Sequence, residues 1–394
     1  MKKIKSLVFV SNYFNHHQRY LSDEFSKRLK DGYHFIATMP MEAERQALGW
    51  EKIDVNYVVY SYESQEEYQK SIDLINNADV VVFGSAPHEM VDKRIQENKL
   101  TFRYSERITR KLKDVIKYPY RLLTYRRRYP QNKNLFLLCS SAFTSADYSK
   151  YGLFKNKAYK FAYFTQAVKY ENLEEVLSNK DTKQILWCGR FLKLKHLDHA
   201  VKALNMLKKD GYDCKLTVIG GGKEEENIHK LIAKLGLEDM IKFKGVLPST
   251  QVRQQMEKAG IFIFTSDFNE GWGAVLNEAM NSACAVVSSH AIGATNYLVK
   301  HGENGFVYKN GNVKDLYLKI KCLLDNEQKQ KAFAEKAYKT IVEQWSPEIA
   351  ATRVLELCES ILNKQNTDLY QDGPCSRAGL VKNNWFSQKK NGAK

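Results

Sequence analysis

Among the 394 residues of this chain no apolar run reaches the roughly 18 that a membrane-spanning helix needs. The opening Met1-Lys-Lys-Ile-Lys5, followed by Ser6-Leu-Val-Phe-Val-Ser11, is too short and wrongly flanked for a signal peptide and reads as a first strand. Seven cysteines (139, 188, 214, 284, 322, 358, 375) are odd in number and never closer than 17 residues apart. With no CxxC pair and no metal-knuckle spacing, free thiols in a reducing cytoplasm are the expectation. No Asp-x-Asp pair occurs, and the histidines show no zinc spacing, so neither a metal nor a cofactor is expected. No internal repeat of solenoid length is present, which excludes the array architectures.

What is there fits two domains of ordinary size. At 43% hydrophobic and 12% aromatic residues, each half can bury its own core. In the first half, strands are expected at 4–11, 33–38, 57–60, 79–84, 100–106, 134–139 and 160–164, separated by helices over 15–30, 66–77, 88–98 and 141–151. In the second, strands at 184–188, 215–219, 241–244, 261–265 and 285–289 alternate with helices over 196–210, 224–235, 249–259 and 273–283. Such alternation argues for α/β architecture with doubly wound parallel sheets. The apolar pattern lapses between 165 and 183, so domains at 1–165 and 184–345 are expected around a linker at 166–183. Ser346-Pro-Glu348 opens a further helix, expected over 346–363, with proline at its first position. Residues 364–394 lack periodicity and are expected as a loosely ordered tail.

The formal net charge is +16, and much of the excess is local. From 107 to 133 ten cations (Arg107, Arg110, Lys111, Lys113, Lys117, Arg121, Arg126, Arg127, Arg128 and Lys133) face one acid, Asp114. Tyr118, Tyr120, Tyr125 and Tyr129 interleave with them, and Pro119 and Pro130 divide the stretch into short helices. Cations with interfacial tyrosines suit an anionic lipid surface, each cation contributing about 1 kcal/mol there. Arg110, Lys111, Lys113, Lys117, Arg126, Arg127 and Arg128 are the expected membrane contacts. RNA binding would use the same ingredients but is the less expected partner. A solvated basic loop is the plain alternative.

The second half is organised around Phe268-Asn-Glu-Gly-Trp-Gly-Ala-Val-Leu-Asn-Glu-Ala-Met280. Ile261-Phe-Ile-Phe-Thr265 before it has the character of a buried parallel strand. After it, Val275, Leu276, Ala279, Met280 and Ala283 repeat at helical spacing, so a helix is expected from about Gly273. Glu270 then sits in the strand-to-helix turn and Glu278 within the helix, separated by at most about 12 Å of rise. Two carboxylates so placed can hold separate hydroxyls of one extended ligand. Gly271 and Gly273 leave room for a phosphate at the free N–H groups of the helix start. An amphipathic helix with two surface glutamates is the bland alternative.

Glu270-(seven residues)-Glu278, followed by Ala285-Val-Val-Ser-Ser289 and Gly302-Glu-Asn-Gly-Phe-Val307, resembles the donor-site signature of retaining GT-B glycosyltransferases of the GT4 type. The likeness runs upstream through Cys188-Gly-Arg-Phe-Leu-Lys-Leu-Lys195, Leu216-Thr-Val-Ile-Gly-Gly-Gly222 and Phe243-Lys-Gly-Val-Leu-Pro248, covering roughly 183–345 in order. It implies two Rossmann-like domains facing across a cleft, with the terminal helix crossing back to the first. Arg190 and Lys195 would hold the donor diphosphate, Glu270 the donor sugar hydroxyls and Glu278 the ribose diol. Gly271, Trp272 and Gly273 would offer backbone N–H groups, Gly221 close approach, and the backbone at Val246 contact with the nucleobase. Many relatives carry Phe where Trp272 stands, a departure that bears on sugar fit.

The first half matches less well. Asn12-Tyr-Phe-Asn-His-His17 replaces the family's glycine-rich loop, and His16 and His17 either touch the substrates or are a helix-start surface feature. Where many relatives place a histidine at the end of the strand matching Leu100–Ser105, this chain has Glu106, which would serve as base or electrostatic partner unless merely solvated. His88 is a weaker candidate. The expected function is metal-independent, retaining transfer from a nucleoside diphosphate sugar to a growing, lipid-linked glycan of a capsule, exopolysaccharide or lipopolysaccharide, at the cytoplasmic face of an anionic membrane. A GT-B-shaped epimerase or phosphorylase, or a basic protein without catalysis that binds membrane or RNA, are the competing expectations.

Overall fold

The computed structural model describes residues 2–42, 52–109 and 118–389. The chain divides into two units, Met1–Gln166 with Trp345–Lys382 and Ala167–Gln344 with Asn383–Lys394.

The first unit is built on seven strands: β1 (Leu7–Ser11), β2 (Tyr33–Ala37), β3 (Val58–Tyr60), β4 (Val80–Phe83), β5 (Thr101–Ser105), β6 (Leu135–Cys139) and β7 (Ala158–Lys160). They pair in parallel in the order β3-β2-β1-β4-β5-β6-β7. Every residue of β1, β4 and β6 is buried, as expected of parallel strands covered on both faces. On the helix Glu89–Gln96, fully buried Arg94 donates to the carbonyls of Ile75, Ala78, Asp79 and Leu100. One side chain thus satisfies backbone acceptors where β4 and β5 begin, and burial lowers its pKa to about 10. The helix Pro347–Leu362, whose Ser346 cap accepts from Ile349 N–H, packs in this same unit. There Arg28 of the helix His16–Leu29 donates to Glu348 O and Thr352 Oγ1.

The second unit carries β8 (Asp181–Cys188), β9 (Lys215–Ile219), β10 (Ile241–Phe243), β11 (Ala259–Phe264), β12 (Ala285–Ser289) and β13 (Phe306–Tyr308). They form a parallel sheet ordered β10-β9-β8-β11-β12-β13. Among the described residues no helix is long and apolar enough to cross a membrane.

Three local expectations need correction. Residues 166–183 do not form a bare linker. They contain the helix Leu173–Ser178 and the start of β8, Val168 N–H donates to Asn281 Oδ1 at 2.9 Å, and Tyr170 stacks on Tyr338. Polar composition misled here, because the burial comes from single aromatic and aliphatic residues without a period. The strand expected at 160–164 is β7 at Ala158–Lys160. Beyond it Phe161, Ala162 and Phe164 are buried, Phe161 N–H still donating to Cys139 O at 3.0 Å. The described part of the tail, 364–389, is not loose. Lys160 N–H donates to Ser376 O, Cys375 N–H to Lys160 O and Ala378 N–H to Ala158 O, so the segment pairs along the outer edge of β7. An edge strand left open is costly to solubility, and the tail covers it. Farther on, Trp385 and Phe386 are buried, with Trp385 Nε1 donating to His290 O at 2.9 Å.

Candidate active site

The order of each sheet reverses once, between β1 and β4 and between β8 and β11. Loops leaving the carboxyl ends of strands on either side of such a reversal diverge to opposite faces, and the crevice left behind is where α/β sheets take ligands. In the second unit the loop after β8 carries Arg190 and Lys195, and the loop after β11 carries Glu270. The two loops meet: Lys195 Nζ lies 2.5 Å from Glu270 Oε2, with both side chains largely buried. Backbone contacts fix the approach, since Asp267 N–H donates to Leu194 O at 2.9 Å and Thr265 Oγ1 to Lys195 O at 2.6 Å. Beneath them Trp187 Nε1 donates to Thr265 Oγ1, which ties the core of β8 to the end of β11.

Glu278 lies in the helix Val275–Asn281, which starts two residues later than its apolar spacing suggested. Burial pushes its carboxyl up to about 7, with Arg253 pulling the other way. Among the described residues this carboxylate has no hydrogen-bond partner. An acceptor half out of water and unpaired is costly to keep, and a ligand hydroxyl would satisfy it. The Cys188 thiol at the end of β8 feels Glu278 and Lys195 together, its pKa pushed up to about 12 by burial first and Glu278 second. Both carboxylates and the lysine therefore converge on one end of β8. Arg190 is exposed beside them.

The glycines shape the same surface. Gly220 sits at φ +125°, and a Cβ there would lie 2.0 Å from Gly189 O. Phe191 N–H donates to Gly221 O and Gly220 N–H to Gly245 O, so the loops after β8, β9 and β10 are knitted by their backbones. Val246 is exposed at the rim, 58% accessible despite being apolar. At Gly273, φ +91°, a Cβ would strike the Phe264 ring. Neither Gly271 nor Gly273 donates its N–H to another group among the described residues. The Trp272 side chain turns inward, buried with Nε1 donating to Asn277 Oδ1 at 2.8 Å. A Phe-to-Trp exchange here is therefore a matter of packing and does not place the ring in a sugar site.

Residues 168–340 match the family described as Glycosyl transferases group 1. This module belongs to that family. A poly(glycerol-phosphate) alpha-glucosyltransferase of Bacillus subtilis is 32% identical over 151 residues, 38% of this chain and 22% of that protein. The N-acetylgalactosamine-N,N'-diacetylbacillosaminyl-diphospho-undecaprenol 4-alpha-N-acetylgalactosaminyltransferase of Campylobacter jejuni is 30% identical over 175 residues, 43% of this chain and 46% of that protein. The chain thus spans less than half the length of either curated relative. Among solved structures, Anabaena HepE in complex with UDP superposes with a TM-score of 0.67 at 16% identity, covering 90% of this chain and 100% of that one. That likeness establishes the fold, two α/β units of the GT-B class.

Outside the group 1 module the first unit places its candidates at the carboxyl ends of its own strands. His16 opens the helix after β1, where Asn15 accepts from His17 N–H, and burial lowers His16 to about 4, leaving the imidazole neutral. Its ring lies 4.1 Å from that of His17, which in turn approaches Tyr163. Glu106 follows β5 directly. His88 is held by Asp92 at 2.6 Å and by the rings of Phe83 and Tyr129, which suits a structural role. An open groove of about 840 Å³, lined by Val8, Gly32, His34, Gln69 and Asp73, lies at the amino ends of these strands, opposite the edge such sheets use.

Of the basic stretch, Arg110, Lys111, Lys113 and Lys117 lie outside the described residues. Tyr118–Arg128 forms a helix, Arg107 before it is buried with Nε 3.5 Å from Asp147 Oδ2, and Lys133 after it donates to Gln96 O. The tyrosines of the stretch do not all face out. Tyr129 is buried, Tyr125 packs against Tyr148 and Tyr151, and Tyr118 stacks on Tyr151, while Tyr120 and Leu123 are 72% and 75% exposed beside Arg126, Arg127 and Arg128.

Sequence spacing did not single out His196, Asp198 and His199, whose ligand atoms lie within 4.8 Å of one another. The only hint was the run His196-Leu-Asp-His199 directly after Lys195. Lys202 Nζ already lies 2.7 Å from Asp198 Oδ2, and His196 is raised to about 9 by its aspartate partners. Ion pairing thus satisfies these groups.

Proposed function

We propose that the protein is a glycosyltransferase that moves a sugar from a nucleoside diphosphate donor to a growing surface glycan. What carries this reading is the ion-paired Lys195 and Glu270 with Glu278, unpartnered among the described residues, near the same end of β8, at the strand-order reversal of a group 1 module. Glu278 accepts from the ribose diol and Glu270 from donor sugar hydroxyls. Arg190, Lys195 and the N–H groups of Gly271, Trp272 and Gly273 meet the charge that grows on the diphosphate as the sugar–oxygen bond breaks. The nucleobase lies over Val246 and Gly221. In the retaining course the departing phosphate oxygen takes the acceptor's proton while the acceptor oxygen bonds to C1 on the same face. His16 and Glu106 are the candidates of the first unit for orienting the acceptor, His16 as a neutral imidazole.

The named acceptor of the Campylobacter relative, a diphospho-undecaprenol saccharide, supports a lipid-linked acceptor here. Tyr120 and Leu123, exposed among Arg126, Arg127 and Arg128, support contact with the inner face of an anionic membrane. Thermal-shift screening of UDP- and GDP-sugars tests the donor. A stabilising nucleotide sugar is expected, lost in Glu278→Ala, whereas Arg190→Ala slows transfer with folding intact. Unchanged donor affinity in Glu278→Ala would refute the assigned roles.

A further inference from the structure

Lys195 and Glu270 meet only if the loop after β8 and the loop after β11 keep their register. His196 stands between them. It adopts a left-handed backbone, φ 48° and ψ 50°, at the junction of the 3₁₀ turn Lys193–Lys195 and the helix Leu197–Lys209. That conformation is uncommon outside glycine, with asparagine, aspartate and histidine adopting it more readily than other residues. From there its ring faces both loops, with Nε2 at 3.2 Å from Asp267 Oδ2 and Nδ1 at 3.6 Å from Asp198 Oδ1. Asp267 in turn accepts from the N–H and Nδ2 of Asn269, the residue before Glu270.

We infer that His196, as an imidazolium between Asp198 and Asp267, is an electrostatic latch that holds the Lys195 loop against the Glu270 loop and so positions the two charged groups. The inference rests on the donor-site reading above. His196 touches no substrate in it and is a positioning residue.

The charge balance around the ring supports a cation there. The helix Leu197–Lys209 supplies Asp198, His199 and Lys202, the loop after β11 supplies Asp267, and Tyr308 at the end of β13 is within electrostatic reach of Asp198. The two aspartates raise His196 to about 9. The stacked His199 ring, 4.4 Å away, is lowered by burial first, so one imidazole of the pair carries the charge. The sign follows: a histidine raised above its ordinary 6.5 holds its contact fully below about 6.5 and loses it as pH rises through about 9.

The test uses the full chain with His196→Asn, His196→Lys and Asp267→Asn. Asparagine tolerates the left-handed backbone without the charge, and lysine keeps a charge. UDP binding is followed by calorimetry, UDP-glucose turnover by UDP release, and loop order by hydrogen exchange of a peptide spanning 262–272. In His196→Asn and Asp267→Asn, kcat is expected to fall about tenfold at pH 7.5 with UDP affinity within about threefold, and exchange at 266–270 to rise about tenfold. His196→Lys should recover part of both. In the wild type exchange should rise above pH 9, and in His196→Asn it should already be high and flat. Wild-type exchange and an unchanged alkaline rise in His196→Asn would overturn the latch. If the wild type binds neither UDP nor GDP and releases neither from its glucose conjugate, the donor reading fails, while exchange still decides the latch.

Discussion

Glu278 joins function to stability through one proton. Its carboxyl is held up to about 7 by burial, so the folded chain binds that proton more tightly than the unfolded one. Folding then becomes less favourable as pH rises from about 4.5 to 7, and the cost persists above. Glu278→Gln should therefore melt higher than wild type at pH 8, with the gap closing towards pH 4.5, and bind UDP at least about tenfold more weakly at pH 8. Wild-type affinity for UDP should also decline below about pH 7, as the accepting carboxylate is protonated. Calorimetry and melting across pH 5–8 check all three; a variant no more stable than wild type would remove the link between burial and role. In the sequence both glutamates were legible from spacing and family order. The environment that makes Glu278 unusual was not, because it depends on which side chains fail to reach it.

At the scale of elements, the glycine triplet after β9 was readable as a close approach, and the structure shows what approaches. Gly220 gives way to the backbone of Gly189, so the loops after β8, β9 and β10 pack on one another. Gly220→Ala places a Cβ against a carbonyl at an unfavourable φ and should destabilise by on the order of 2 kcal/mol or more, read from the urea midpoint. In the first unit, Arg94→Met leaves the carbonyls of Ile75, Ala78, Asp79 and Leu100 without their donor and should cost about 3–5 kcal/mol by the same measurement. An arginine at that helix position looks like any surface cation in sequence. Its burial is decided by strand ends distant along the chain. The tyrosines of the basic stretch make the same point: 125 and 129 turn inward, the exposed Tyr118 lies over Tyr151, and Tyr120 with Leu123 points outward, whereas composition alone pooled the tyrosines.

For the molecule as a whole, the described residues after 364 belong to the folded structure. Residues 375–378 line the edge of β7 in the first unit, and Trp385 with Phe386 pack beside His290 and His301 in the second. A chain stopped after Lys364 should melt at least about 5 °C lower and aggregate more readily, since it exposes a strand edge and an aromatic pocket. Differential scanning calorimetry with light scattering measures both, and a truncated chain that melts like the full one would show the tail to be dispensable.

By itself the sequence determined the α/β alternation, most strand positions and the order of the motifs after β8, β9, β10 and β11, because buried parallel strands write their burial locally as apolar runs and glycine turns. Tertiary structure alone decided that Lys195 pairs with Glu270, that His196 bridges the aspartates around them and that residues 375–386 pack onto the two units. Those outcomes turn on distances between groups far apart in the chain, and no local period encodes a distance.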